Sequence, residues 1–155
     1  MKHRFLLDMM VIFFAVKEEN AQQQCDRTCA NLIELIGQNC HCLIVDKTMN
    51  EKYDSRLSEF FSQPQYQTQA ALFLANVVHN PQKFIIETSA PPEIPPAVVA
   101  HIPHEDRYVV KAALLSHPIV VTDERRLRDA INDNHTSLRL KAISPSDALE
   151  LAKDV

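Results

Sequence analysis

The sequence predicts an α/β fold: a three-layer α/β/α sandwich around a central, mainly parallel sheet, in one domain spanning residues 1–155. Three observations lead there. Short, nearly continuous apolar runs alternate with longer stretches of helical spacing, as strands buried on both faces alternate with covering helices. With 155 residues, 46% hydrophobic and 23% charged, the chain has globular composition and about one domain's length. Two of the apolar runs also end directly in an acid, Asp8 and Asp123, the position where sites form in open parallel sheets.

The elements follow in order. Residues 5–7 form a short buried strand, and residues 9–16 are apolar with no clear period. A helix spans 26–38, with Ala30, Ile33, Leu35 and Ile36 at apolar positions and Gly37 near its end. Residues 42–45 are a second buried strand. Asp46 then stands as N-cap of a helix over 47–62, where Met49, Tyr53, Leu57, Phe60 and Phe61 keep helical spacing. Pro64 breaks that pattern, and a helix over 68–79 ends before Pro81. Residues 84–86 are apolar but unassigned, and Pro91, Pro92, Pro95 and Pro96 mark a stiff, extended connection.

The last third is the clearest. A helix over 103–116 carries acids in its first turn and Val109, Val110, Ala113 and Leu114 on one face. Residues 118–122 are a buried strand, and Asp123 starts a basic helix running through Asn132. A last strand lies within 138–143. Ser144 then reads as N-cap, Pro145 as first helical residue and Asp147 as first-turn acid of the closing helix.

Composition excludes several chemistries. A single glycine, Gly37, rules out Gly-rich phosphate loops, dinucleotide fingerprints and nucleophile elbows. The net charge of −4 carries no global basic signature of nucleic-acid binding, although a carboxylate metal site would itself contribute negative charge. Cys25, Cys29, Cys40 and Cys42 lack the spacing of a zinc knuckle or ribbon and read as reduced thiols of a cytoplasmic protein. His101 and His104, near Asp106, read as loop histidines in preference to metal ligands. Lys2, His3 and Arg4 before an apolar run mimic a signal peptide. Asp8 interrupts that run, no small-residue cleavage site follows, and the run is too short to span a bilayer. A buried strand in a protein without membrane association is the preferred reading, and export is the alternative.

Asp8, Glu51, Asp106 and Asp123 fall at strand ends or early in the helices beside them. Gathered at one edge, such carboxylates would raise one another's pKa and call for a cation. Oxygen donors suit Mg²⁺ or Mn²⁺, which activate water and stabilise phosphoryl charge. Each acid also has a structural reading: Asp123 as a helix cap, Asp106 as a first-turn acid, Glu51 as a solvated helix acid and Asp8 as a buried structural group. Arg125, Arg126 and Arg128 form either a solvated helix face or a phosphate-holding flank.

The segments ending in Asp8, around Glu51, from Asp106 to Leu114 and from Ile119 to Leu127 come in the order and rough spacing of PIN domains, and the chain resembles that family over nearly its whole length. The resemblance implies an α/β/α sandwich and a Mg²⁺- or Mn²⁺-dependent endoribonuclease, often the toxin of a toxin–antitoxin pair. It implies Asp8, Glu51, Asp106 and Asp123 as the acidic, metal-binding site, with Thr122 supporting. RNA, an antitoxin protein and a second copy of the chain are the partners it implies, with Arg125 and Arg126 toward RNA. Two positions depart from the family pattern. Met9 and Met10 stand where a small polar residue is usual, and the acid after the threonine is commonly one position further on, which makes Glu124 the alternative ligand to Asp123. A PIN-like module that binds RNA or protein without cutting is the alternative function.

Overall fold

Five short strands, each parallel to its neighbours, form the sheet in the computed structural model, which describes residues 1–154. They are β1 (Arg4–Leu7), β2 (Cys42–Asp46), β3 (Phe84–Glu87), β4 (Ile119–Val121) and β5 (Ala142–Ile143), in the spatial order β3-β2-β1-β4-β5. The first strand is therefore central, and the strand order reverses between β1 and β4. Helices cover both faces, as parallel strands require.

The helices are α1 (Met9–Lys17), α2 (Thr28–Gln38), α3 (Lys47–Phe61), α4 (Gln67–Phe73), α5 (Pro96–Val99), α6 (Arg107–Leu114), α7 (Arg125–Asp133), α8 (His135–Leu138) and α9 (Pro145–Ala152). Helix α2 packs against α1 and α9, and α3 packs against α6 and α4. The strands supply the centre of the core: Phe5, Leu6, Leu7, Leu43, Val45, Val120 and Val121 are all buried.

Two caps are as the sequence predicts. The Asp46 side chain accepts from the Met49 N–H at 2.8 Å, and the Ser144 hydroxyl accepts from the Asp147 N–H at 3.2 Å, with Pro145 at the first helical position.

Other boundaries differ for local reasons. The apolar segment after Asp8 is helical, its period hidden because Met9, Val11, Ile12, Ala15 and Val16 are all buried. Helix α2 starts at Thr28, since the Asp26 carboxylate accepts from the Thr28 N–H at 2.8 Å and turns the chain there. The segment 67–78 passes from α4 into a π turn at Leu74–Val78. The unassigned run is edge strand β3, in register with β2 from Leu43↔Phe84 to Asp46↔Glu87. Pro96 opens α5 inside the connection read as extended. The helix predicted from residue 103 begins as a 3₁₀ turn, His104–Asp106, before α6. The last strand shortens to Ala142–Ile143 because α8 occupies 135–138 and Arg139 turns in the left-handed region, φ 55°.

Candidate active site

Strand register builds the centre of the site. β1 and β4 pair as Phe5↔Ile119, Leu6↔Val120 and Leu7↔Val121, so the next residues, Asp8 and Thr122, leave the sheet side by side. The ladder extends one step further through the Asp8 N–H to the Val121 carbonyl at 2.9 Å. Asp8 is only 4% exposed and Thr122 is fully buried. The Thr122 hydroxyl donates to Asp8 Oδ2 at 2.7 Å, and the Met9 N–H donates to Oδ1 at 2.7 Å. Burial pushes the Asp8 carboxyl above its ordinary range. The two hydrogen bonds act against that shift, and the charge of Glu124 adds to it.

Asp106 and Glu124 join from other segments. Burial, then the charges of Asp8, Glu105 and Glu124, push the Asp106 carboxyl up to about 6, with Arg126 acting in the opposite sense. Both acids occupy the N-cap position of a helix, Asp106 before α6 and Glu124 before α7, yet neither side chain makes a capping hydrogen bond. Asp46 and Ser144 show what a residue engaged in capping does instead. The Asp106 and Glu124 carboxylates are thus left free of helix duties. Asp8 is the N-cap of α1, so each of the three acids stands at the start of a helix, where the positive dipole end favours a carboxylate.

Glu124 and Asp123 face different ways. The Thr122 hydroxyl also accepts from the Glu124 N–H at 3.1 Å, and the Thr122 carbonyl accepts from Arg128 Nη1 at 2.8 Å. This turn brings Glu124 to Asp8 and Asp106. Asp123 lines a separate small hollow with Phe14, Asp26, Cys29 and Ser144, where its charge helps burial push the Cys29 thiol up to about 12. Nor does Asp123 start the basic helix as a cap, since Glu124 holds that position.

Glu51 is exposed on α3 and lines a hollow beside the acids, together with Met9, Lys52 and Tyr108. Arg126 stands near Asp106. Arg125 is a solvated residue, its side chain 87% exposed and 3.7 Å from Asp129.

Sequence reasoning passed over three neighbours. Glu105 adds charge beside Asp106. The buried Tyr53 hydroxyl donates to the carbonyl of Leu7, the residue before Asp8. Burial, then the charges of Asp8 and Asp106, push the Tyr108 phenol up to about 12. Tyr53 carried only a core signal in the sequence, and Tyr108 only its closeness to Asp106.

Asp8, Asp106 and Glu124 offer oxygen donors only, the donor type that suits Mg²⁺ or Mn²⁺. Among the described residues, no three His, Cys, Asp or Glu side chains stand where they would jointly hold an ion. His101 lies 3.4 Å from the Asn134 side chain, and all four cysteines are free thiols. No helix among the described residues is long and apolar enough to cross a membrane.

No family model matches the chain, and no curated protein matches it. Among solved structures, the chain is similar to a PilT N-terminus (PIN) domain protein from the hyperthermophilic archaeon Sulfolobus solfataricus P2. The TM-score is 0.44 and the identity 10%, over 98% of this chain and 95% of that one.

Proposed function

We propose that this protein is a Mg²⁺- or Mn²⁺-dependent ribonuclease that hydrolyses phosphodiester bonds at the edge formed by Asp8, Asp106 and Glu124. One observation carries the reading. Carboxylates from distant parts of the chain share one charge field where the strand order reverses: burial, and then the charges of Asp8, Glu105 and Glu124, push Asp106 up to about 6. Buried carboxylates that raise one another's pKa in this way are relieved by a cation.

A bound divalent ion would supply water activation and charge stabilisation at the phosphoryl oxygens. The chain's own groups have separable tasks. Thr122 and the Met9 N–H fix the orientation of Asp8. Asp106 and Glu124 offer carboxylates with no competing helix bond. Arg126, beside Asp106, is placed to hold a substrate phosphate. RNA as substrate rests on the family resemblance of the sequence.

The test is cleavage of a mixed single-stranded and structured RNA pool with added Mn²⁺ or Mg²⁺, comparing wild type with Asp106→Asn. Metal-dependent cutting that the variant loses supports the reading. A well-folded wild type that cuts nothing overturns it.

A second reading has its own observation. Both Asp8 oxygens already accept hydrogen bonds, and no three potential ligands close on an ion among the described residues. A PIN-like module that binds RNA without cutting would keep its partner in Asp106→Asn.

A further inference from the structure

The two ends of the sheet carry opposite charge. At the end where the strands finish, Asp8 follows β1, and Asp46 and Glu87 close β2 and β3. At the other end every strand begins on or just after a cationic residue type: Arg4 in β1, His41 before β2, Lys83 before β3, His117 and Pro118 before β4, and Lys141 before β5. Segments 1–4, 39–42, 79–83, 115–118 and 139–141 hold no Asp or Glu, although the net charge of the chain is −4.

These charges act together. Burial pushes the Cys42 thiol up, and the charges of Lys2, Arg4 and Lys83 all work against that shift. Two of the groups have structural duties. The Lys83 ammonium donates to the carbonyls of Asn39, which ends α2, and His41, while His41 itself is buried against the Ala152 carbonyl. Lys2, Arg4, Arg139 and Lys141 are exposed and make no ion pair among the described residues. Helix C-termini favour a nearby cation, but that attraction fades within one turn, and Lys83 already serves α2. Acids near this end are fewer than the cations. They are Asp154, whose backbone reaches His41, and Asp133, next to the Asn132 that bonds β5 at Ala142. Glu150 is paired with Lys153 at 2.6 Å.

Strands about 4.8 Å apart spread this row over roughly 19 Å from β3 to β5. A small anion would meet one or two of the cations, whereas a chain of phosphates meets them all. The acid edge of a second copy is a poor match, because Asp8 and Asp46 are only 4% and 3% exposed and cannot reach a neighbour's surface cations. We infer that the N-terminal edge of the sheet is a binding surface for the phosphate backbone of RNA, held by Lys2, Arg4, Arg139 and Lys141 and separate from the acid edge. The choice of RNA as the polyanion rests on the ribonuclease reading. Arg4 and Asp8 are about 13 Å apart along β1, so one RNA chain can reach both ends of the sheet. The surface holds by charge a substrate that the carboxylates alone repel.

The experiment is fluorescence anisotropy of a labelled oligoribonucleotide with the full chain in EDTA, over a series of salt concentrations. Wild type binds, and its affinity falls steeply as salt rises. Lys2→Gln with Arg4→Gln, and separately Arg139→Asn with Lys141→Gln, each weaken binding about tenfold. Each pair lowers the log–log salt slope by about 1.4, the share of two phosphate contacts on a single strand. Asn serves in place of Arg139 because the backbone there turns at φ 55°, which Asn tolerates. Arg27→Gln with Lys111→Gln removes the same charge from cations already paired with Glu18, Glu34 and Glu93, and leaves affinity within about twofold. Thermal melts establish folding, and if one pair of substitutions fails to fold the other pair decides.

The inference is overturned if wild type binds no RNA, if the folded double variants bind as wild type does, or if the control pair loses as much as they do. A wild type that binds no RNA and self-associates at low salt gives the edge to a second copy instead. The underlying reading fails separately: RNA held through these cations but left uncut in Mn²⁺ keeps the surface and removes the nuclease.

Discussion

The Thr122 hydroxyl reaches Asp8 Oδ2 at 2.7 Å across 114 positions of sequence, tying together the ends of the two central strands. Both residues are buried, so water replaces this donor poorly. Thr122→Val keeps the shape and removes the donor. It should cost about 1–3 kcal/mol at neutral pH, the usual penalty for stripping a partner from a buried polar group. The check is a lower urea midpoint at unchanged m-value, with Thr122→Ser retaining most of the stability.

Glu124→Gln and Asp123→Asn should separate cleanly. Glu124 shares the charge field of Asp8 and Asp106, whereas Asp123 faces the hollow near Cys29. The Mn²⁺ dependence of RNA cleavage should weaken by at least about tenfold in Glu124→Gln, since even a metal site's supporting shell is worth that much. Asp123→Asn should stay within about twofold of wild type on the same scale. The reverse ranking would return Asp123 to the site.

His41 should make the fold acid-sensitive. The His3 N–H donates to its Nδ1 at 3.0 Å and its Nε2 lies 3.0 Å from the Ala152 carbonyl, so the neutral ring carries its proton on Nε2. Burial pushes the imidazole below its ordinary value. The Ala152 carbonyl acts in the opposite sense, and His3 and Lys83 add to the lowering. The unfolded chain then binds the proton more readily than the folded one, so stability rises with pH. It should be complete above the unfolded value of about 6.5 and fall as pH drops through the lower folded value. Urea midpoints between pH 7.5 and 5 should decline in wild type, and His41→Gln should flatten that slope.

Tyr53→Phe tests support from beneath the site. Its hydroxyl donates to the Leu7 carbonyl, and burial, with the charge of Asp8 adding, holds the phenol well above its ordinary value. The substitution should cost about 1 kcal/mol of stability. Because Leu7 immediately precedes Asp8, metal-dependent cleavage should fall further than the melting temperature implies. Equal stability and equal cleavage would remove Tyr53 from any supporting role.

Strands β1, β2 and β4 were legible because parallel strands buried on both faces read as continuous apolar runs, as in residues 42–45. Strand β3 was not, because it lies at the sheet's edge and Ile86 is 42% exposed, which erases the pattern. Helix α1 hid its period by being buried over most of its surface. At the candidate site, the rule that acids gather beyond strand ends points to Asp8 and Asp123, early-helix positions add Asp106 and Glu51, and Thr122 comes from the family resemblance alone. Which of Asp123 and Glu124 lies toward Asp8 follows from which N–H the Thr122 hydroxyl accepts, a turn detail that composition does not encode. The approach of Lys52 to Tyr108 joins two helices far apart in sequence, and no spacing rule reaches across that gap.

The central position of β1 has a consequence for how the molecule comes into being. Synthesis delivers β1 well before its partner strand β4, and a chain folds only as its segments emerge. Until β4 docks, β1 has one bare edge and Asp8 lacks its hydroxyl donor. The acid edge therefore stays incomplete until β4 and the turn after it have joined the sheet.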